Sequence, residues 1–375
     1  MTDSYTTVSR RRFLQQTGAG LLASHVAAGA AAAQRVPPPP GRKLGWALVG
    51  LGSLSINQIM PAFARCEKSR LAAFVSGSPD KARTLAARYG VPEKNIYDYD
   101  SYDRIRDNAD IDIVYVVLPN GMHAEYTVRA AQAGKHVLCE KPMANTPEEC
   151  RQMIDAAKAA ERKLMVAYRL RYEPYTQALI KAVRDEEMGP LRFVLADAGF
   201  SIGDPDQWRL KKAMAGGGSL MDIGIYSLNA ARYISGEEPV EVFAMEHSTP
   251  GDPRFKEVEE NVTFQLRFPS GVLANCTSSY GSPLNRFRGV GTKGWIELEP
   301  ALSYGGLRMH ASTGRTLEER LHPVVDHFAA EMDHLSGCVM DGTEPLTPGE
   351  EGLKDLQIMM AIYESARERR IVKLL

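Results

Sequence analysis

Cysteine is scarce: five residues in 375 (Cys66, Cys139, Cys150, Cys276 and Cys338), odd in number and widely scattered. That spacing excludes a disulfide framework and a zinc ribbon. Cys139 abuts Glu140-Lys141-Pro142, but the apolar run leading into it marks a small buried packing residue. Neither sign of charge is in surplus, with 45 Lys and Arg against 46 Asp and Glu, so nothing recruits nucleic acid or holds the chain stably on a membrane. Internal repeats are absent, as is any apolar run long enough to span a bilayer. What is present is ordinary globular material: 44% hydrophobic residues over a length that suits two domains with a sizeable core.

The N-terminus carries the one targeting signal. Ser9-Arg10-Arg11-Arg12-Phe13-Leu14 fits the twin-arginine pattern S/T-R-R-x-F-L, and a mildly apolar stretch follows, with Ala31 and Ala33 forming an A-x-A site before Gln34. Residues 1–33 are therefore expected to be a twin-arginine signal peptide that engages that export machinery and delivers the protein to the periplasm. Residues 34–43, QRVPPPPGRK, read as an extended proline-rich arm.

From residue 44 apolar strands alternate with helical periods. LGWALVG, LAAFVSG, DIVYVVLPN, HVLCEKP and LMVAY are strands, and residues 55–66, 79–89, 122–133 and 147–160 are helices. Apolar runs hidden on both faces imply a parallel, doubly wound sheet over residues 44–167. Beyond residue 168 the rhythm changes. Segments 191–199, 240–247, 258–268, 271–280, 285–291 and 294–299 are strand-like, with turn signals at Pro269-Ser270-Gly271 and Thr292-Lys293-Gly294. They predict a large, mostly antiparallel open sheet in an α+β domain over 168–375, with a helix over 217–233. Two terminal helices, near 324–340 and 350–369, could pack back on the first domain.

Gly50-Leu51-Gly52-Ser53-Leu54-Ser55 is G-x-G-x-x-S between a strand and a helix, the arrangement that brings backbone N–H groups to a pyrophosphate. An NAD-binding chain usually places Asp or Glu at the end of the second strand, for the ribose hydroxyls. This chain has Ser76-Gly77-Ser78, with Lys81 a turn later. Removing the acid and supplying a hydroxyl and an ammonium favours a 2′-phosphate, hence NADP over NAD. Arg83 is a second cation that a solvated helix face explains equally well.

At Glu140-Lys141-Pro142 the sequence resembles the Gfo/Idh/MocA oxidoreductases, and within them the exported glucose–fructose and aldose–aldose types. The resemblance runs from about residue 43 to the C-terminus. Its specific pieces are GLGSLSINQIMPAF, VLPNGMHAEYTVRAAQAGKHVLCEKPMA, QWRLKKAMAGGGSLMDIGIYSLNAARYISGEEPVEV and PGEEG. It implies that Lys141 and Tyr226 carry the chemistry and that Asp222 positions sugar. It also implies that Pro119, Asn120, His123, Glu140, Lys141, Trp208 and Arg209 join Gly50, Gly52, Ser53, Leu54, Ser76 and Lys81 around the cofactor, and that protomers pair as a homodimer or higher oligomer through the C-terminal sheet. Many relatives carry His where this chain has Tyr226; Tyr is the pattern of the sugar–sugar subgroup.

The residue types make independent sense. Oxidising a sugar C1 hydroxyl needs a proton acceptor, and free tyrosine, titrating near ~10, needs a neighbouring positive charge to serve near neutrality. Asp222 and Tyr226 stand at i, i+4 and share a helix face. Arg169 and Tyr172, from YRLRY, offer planar donors and a stacking face to sugar, and Tyr280 is a further pocket candidate. Trp208 suits either the core or the cofactor. His327, Glu331 and His334, at i, i+4 and i+7, invite a metal reading, but Phe328, Met332, Leu335 and Val339 complete an apolar stripe, so the trio is expected to be that helix's wet face.

Soluble nicotinamide is a cytoplasmic currency, so export of such a protein demands a reason. A folded protein can cross with NADP already loaded, hold it tightly and regenerate it in place: one aldose is oxidised to its lactone, and a second sugar is reduced to an alditol at the same site. The rivals are an exported NAD(P)-dependent glycosidase of the same superfamily and a non-catalytic sugar sensor. The Ser76/Lys81 pattern and Tyr226 count against the first, and the presence of both Lys141 and Tyr226 counts against the second.

Overall fold

The computed structural model describes residues 41–374; the expected export signal and residues 34–40 of the proline-rich arm lie outside the described residues. The first sheet is built from β1 (Leu44–Val49), β2 (Ser69–Val75), β3 (Ile96–Tyr97), β4 (Ile113–Val116), β5 (His136–Glu140) and β6 (Leu164–Ala167), in the order β3-β2-β1-β4-β5-β6 with every pairing parallel. Each residue of β1, β4 and β6 is buried. Helices cover both faces, so a strand with no wet side has no use for alternation.

After β1 the chain turns into one π-helical turn at Ser55–Ile59, a short α1 (Met60–Ala62) and a 3₁₀ turn at Phe63–Arg65. Three of the other crossovers run through α2 (Pro79–Tyr89), α3 (His123–Gln132) and α4 (Pro147–Ala159), and the one from β3 to β4 through a 3₁₀ segment at Tyr102–Asp107. Helix α4 starts on a full capping box, in which Thr146 accepts from the Glu149 N–H while Glu149 reaches back. The strand order reverses between β1 and β4, and ligands of such sheets bind beyond the strand ends at that point.

A connecting α5 (Pro174–Arg184) leads to the second sheet. Its strands are β7 (Leu191–Gly199), β8 (Glu241–His247), β9 (Asn261–Arg267), β10 (Leu273–Ser279), β11 (Leu284–Gly291), β12 (Gly294–Leu298), β13 (Met309–Thr313), β14 (Thr316–Arg320) and β15 (Val372–Lys373). They run β14-β13-β12-β11-β7-β10-β9-β8-β15, antiparallel except where β7 meets β10. One face packs on helices; β9, for example, buries Val262, Phe264 and Leu266 and exposes Thr263, Gln265 and Arg267.

The remaining helices are α6 (Lys212–Ala215), α7 (Ile225–Ser235, entered through a π-helical turn at Leu220–Gly224), α8 (His327–Asp341) and α9 (Gly349–Glu368). The last two return to the first sheet. Ser336 of α8 accepts from the Trp46 indole N–H at 3.1 Å, and Asp333 accepts from the Lys68 N–H and the Ser69 hydroxyl at 2.9 and 2.8 Å. Helix α9 packs on α4 and β6 on one side and on β8 on the other.

One expectation is corrected by α8. His327 and Glu331 are not on a wet face: they are 3% and 0% exposed, while Phe328, Met332 and Leu335 are buried as well. The helix is enclosed on both sides, with the apolar stripe against the first sheet and the polar residues towards the segment after β6. His334 is half-buried and accepts from the Leu346 N–H at 2.9 Å. Among the described residues no group of His, Cys, Asp and Glu is arranged to hold a metal ion. All five cysteines are free and buried, and burial pushes the Cys139 thiol far above its usual range.

Candidate active site

The dinucleotide turn is shaped as a cradle. Gly50 has φ +91°, and a Cβ there would sit 2.2 Å from the Val117 carbonyl oxygen. Only glycine allows this approach of β1's end to β4's end. Ser55 is buried and donates to the Gly50 carbonyl at 2.6 Å, closing the turn. Gly52 and Ser53 are exposed, and a Cβ on Gly52 would meet nothing within 4 Å, which leaves room for a pyrophosphate above the backbone. Leu54 flanks the turn, half-buried.

Ser76 is buried at the end of β2 and accepts from the Ser78 N–H at 3.1 Å. Lys81 lies exposed on α2 and donates to the Leu51 carbonyl at 3.4 Å, so its ammonium stands beside the turn. Arg83 pairs instead with Asp80 at 2.5 Å on the solvated face of the same helix. The residues present therefore fit a nicotinamide dinucleotide, with a hydroxyl and an ammonium where an acid would select NAD.

Lys141 leaves the end of β5 and meets the π-turn that opens α7. Its Nζ donates to the Asp222 backbone carbonyl at 2.6 Å, lies 3.5 Å from Asp222 Oδ1 and sits 4.8 Å from the centre of the Tyr226 ring. Asp222 is clamped from the other side: Oδ2 accepts from Arg209 Nε and from the Tyr280 hydroxyl, each at 3.0 Å. Burial works to raise the Asp222 carboxyl, but Arg209 and Lys141 outweigh it and hold the group below its usual value. Burial likewise works to lower Lys141, and its electrostatic neighbours Tyr226, Asp222 and Glu140 turn the balance upward, so its ammonium is retained.

The π-turn is pulled in tightly. A Cβ on Gly218 would lie 2.0 Å from the Glu259 carbonyl oxygen, while the Glu259 carboxylate accepts from the Gly218 and Leu220 N–H groups at 2.8 and 2.9 Å. This anchoring accounts for the Gly-rich entry to the helix and fixes where Asp222 and Tyr226 project. Extra turns of this kind inside helices recur at functional sites. Tyr226 is half-buried, and its hydroxyl accepts from Arg169 Nε at 3.2 Å.

Comparison with known proteins now identifies the architecture. Residues 44–168 match the model of the oxidoreductase family with an NAD-binding Rossmann fold, and residues 176–297 match the GFO/IDH/MocA C-terminal domain. A D-xylose 1-dehydrogenase [NADP(+)] from Haloarcula marismortui is 32% identical over 336 residues, covering 88% of this chain and 92% of that protein. The chain belongs to the Gfo/Idh/MocA oxidoreductases. The crystal structure of an aldose–aldose oxidoreductase from Caulobacter crescentus, complexed with glycerol, is 56% identical with a TM-score of 0.87, covering 89% of this chain and 100% of that one. A 1,5-anhydro-D-fructose reductase from Ensifer adhaerens is 29% identical, covering 86% of this chain and 96% of that protein. The protein is thus a sugar oxidoreductase of the Gfo/Idh/MocA family with a Rossmann domain for a nicotinamide dinucleotide.

Several residues implied by the family resemblance sit one layer behind this cleft. Glu140 is buried and accepts from the Tyr115 hydroxyl at 2.7 Å; burial raises its carboxyl, partly offset by Lys141. Asn120 is buried and donates to the Ala215 carbonyl at 2.9 Å, joining the end of β4 to α6. His123 is fully buried, with one ring nitrogen 2.9 Å from the Pro142 carbonyl and the other 2.8 Å from that of Leu118, and burial lowers its basicity. It holds together the two loops that carry Pro119 and Lys141. Trp208 is half-buried, outside the core, with the Arg209 guanidinium 4.5 Å from its ring centre.

Three expected sugar contacts are placed differently. Tyr172 is 8% exposed, packs in the core against His334 and points its hydroxyl at Met165, so it does not join the cluster. YRLRY has no helical or strand period that could reveal which aromatic turns inward. Tyr280 is fully buried and meets the site through its hydrogen bond to Asp222. Arg169 is 6% exposed and grips Tyr226 from behind. Conversely, Tyr304 escaped the sequence reading. It lies in the loop between β12 and β13, exposed, 4.8 Å from the Arg169 guanidinium, and its only sequence signal is a Tyr before Gly-Gly in a loop.

Proposed function

We propose that this protein is an exported sugar–sugar oxidoreductase that holds NADP through repeated turnovers. It would oxidise an aldose to its aldonolactone and reduce a second sugar to an alditol at one site by a ping-pong cycle. The observation that carries the reading is Tyr226, whose hydroxyl accepts from Arg169 and whose ring lies 4.8 Å from the ammonium of Lys141, the residue that follows β5 of the dinucleotide domain.

Bound NADP would supply the hydride acceptor in one half of the cycle and the donor in the other. The Gly50–Leu54 turn would hold its pyrophosphate, and Ser76 and Lys81 its 2′-phosphate. Tyr226 Oη takes the proton of the aldose C1 hydroxyl as the C1–H bond breaks, and returns a proton to the carbonyl oxygen of the second sugar. Microscopic reversibility asks the same group to be base and then acid. Lys141 supplies positive charge on the ring side of Tyr226 and is itself fixed by Asp222. Asp222, already accepting from Arg209 and Tyr280, keeps Oδ1 towards Lys141 and positions the sugar through that ammonium.

The identity to an aldose–aldose oxidoreductase supports the substrate class, and the missing acid after β2 supports NADP. The twin-arginine signal supports periplasmic location, because a cofactor that never leaves can be loaded before export. Assembly through the open face of the second sheet belongs to the same proposal. Incubating the purified protein with two aldoses and no added nicotinamide tests it: lactone and alditol should accumulate in equal amounts over many turnovers, and product limited to one equivalent per protein would refute the closed cycle.

A further inference from the structure

Arg169 is charged, enclosed and, among the described residues, without an ion-pair partner. Its three hydrogen-bonding groups reach the Tyr226 hydroxyl at 3.2 Å, the Leu302 carbonyl at 2.5 Å and His327 Nε2 at 3.5 Å; among the described residues no carboxylate comes within ion-pair distance. Arginine is almost never fully buried unless it is paired. The usual solution appears elsewhere in this chain: buried Arg232 has Asp355, Glu238 and Glu351 within 2.7 to 3.0 Å.

Among the described residues, no titratable neighbour of Arg169 forms an ion pair with it. His327, from α8, is pushed down to about 3 by burial and by Arg169 itself, so it stays neutral. Glu331, one turn on, is fully buried with both carboxyl oxygens lacking a partner; burial and then Glu140 raise it well above the usual range despite Arg169. Glu140, from β5, accepts from Tyr115 at 2.7 Å and is held slightly down by Arg169, but from beyond ion-pair distance. Tyr304, from the β12–β13 loop, offers only its ring. Lys141, 4.8 Å from the Tyr226 ring centre, repels rather than compensates, and Asp222 is already shared between Lys141 and Arg209.

We propose that Arg169 is a positioning residue whose counter-ion is the Tyr226 phenol itself, present only while its proton is away. The guanidinium orients Oη through the Nε–H bond and favours the ionised phenol, so the charge left unpaired in the resting site is satisfied at the moment of proton transfer. Both cations lie over the Tyr226 ring, but of the two it is Arg169 that bonds the hydroxyl, while Lys141 is paired with Asp222.

The inference rests on the sugar oxidoreductase reading, and one experiment separates the two. Cofactor-loaded wild type, Arg169→Gln and Arg169→Lys are mixed with aldose across pH, and the rate of cofactor reduction is followed by absorbance. Arg169→Gln should slow reduction at neutral pH by roughly 10–100-fold, the scale of a lost hydrogen bond to a charged group. Its rate should recover only about one pH unit or more higher, as when an opposite charge is removed from an acid. The aldose concentration giving half-maximal rate should change little, and Arg169→Lys should restore part of the rate. An unmoved pH profile with the loss confined to half-saturation would overturn the proposal and make Arg169 a sugar contact. If wild type itself is not reduced by aldose, the functional reading fails, and Arg169 is judged on the phenol directly. The ultraviolet difference between each background and its Tyr226→Phe partner should then titrate at higher pH once Arg169 is Gln, and identical titrations would overturn the proposal.

Discussion

Glu331→Gln should make the protein more stable at neutral pH, by an amount that grows as the pH rises. The wild-type carboxyl is fully buried, has no partner for either oxygen, and is raised far above its ordinary value of 4.5, first by burial and then by Glu140, with Arg169 opposing. In the unfolded chain the same group ionises above about 4.5. Above that pH the native state therefore holds a proton that the unfolded state has released, and stability falls as pH rises. The slope for one proton is about 1.4 kcal/mol per pH unit, for as long as the native carboxyl stays protonated. Glutamine has the same shape and also buries two unpaired polar atoms, so the two proteins should be nearly equal at or below pH 4.5. Urea unfolding of both proteins at half-unit steps from pH 4.5 to 8 gives the difference directly. A variant that is less stable at neutral pH, with the gap closing towards acid, would mean that Glu331 is ionised and paired with Arg169. The account of both residues would then be wrong.

Tyr226→Phe should keep the fold and the bound cofactor while slowing both aldose oxidation and sugar reduction by about 10²–10⁴-fold, the range for a lost general acid/base, as separate stopped-flow half-reactions would show. A loss in one direction only would require two proton-transfer groups. Lys81→Ala should weaken retention of NADP by about 1–3 kcal/mol, as for a lost charge-assisted hydrogen bond, and that of NAD by much less. Competitive reloading of stripped protein measures both, and equal losses would remove Lys81 from the 2′-phosphate.

The parallel sheet was legible because its strands are apolar on both faces and are punctuated by helical periods. Even the cradle could be read, since Gly50 and Ser55 stand at fixed offsets from β1. Strands β13, β14 and β15 and the two-residue β3 were not. Strand β14 sits at the sheet edge with all but its last residue exposed, so no face needs an apolar period. The polar face of α8 was misjudged for a related reason. An apolar stripe shows which side of a helix is buried, and it says nothing about whether the opposite side meets water or a second layer; here that layer is the Arg169 segment. Within the site, Lys141, Asp222 and Tyr226 came from motifs on ordered elements. The Arg169–Tyr226 bond spans 57 residues of sequence, and Tyr304 comes from a loop more than 70 residues beyond Tyr226. No local pattern encodes such meetings; they exist only once both sheets are assembled.

The central claim is that one molecule of cofactor stays in place and is turned over by sugars alone. The direct measurement is the near-ultraviolet absorbance of protein purified without added nicotinamide, recorded before aldose, after aldose and after a second sugar. The account predicts a protein that retains NADP through gel filtration, a single rise in the reduced-nicotinamide band of one equivalent per chain, and its disappearance when the acceptor sugar is added. A protein that emerges empty, and that needs fresh NADP for every turnover, would contradict it.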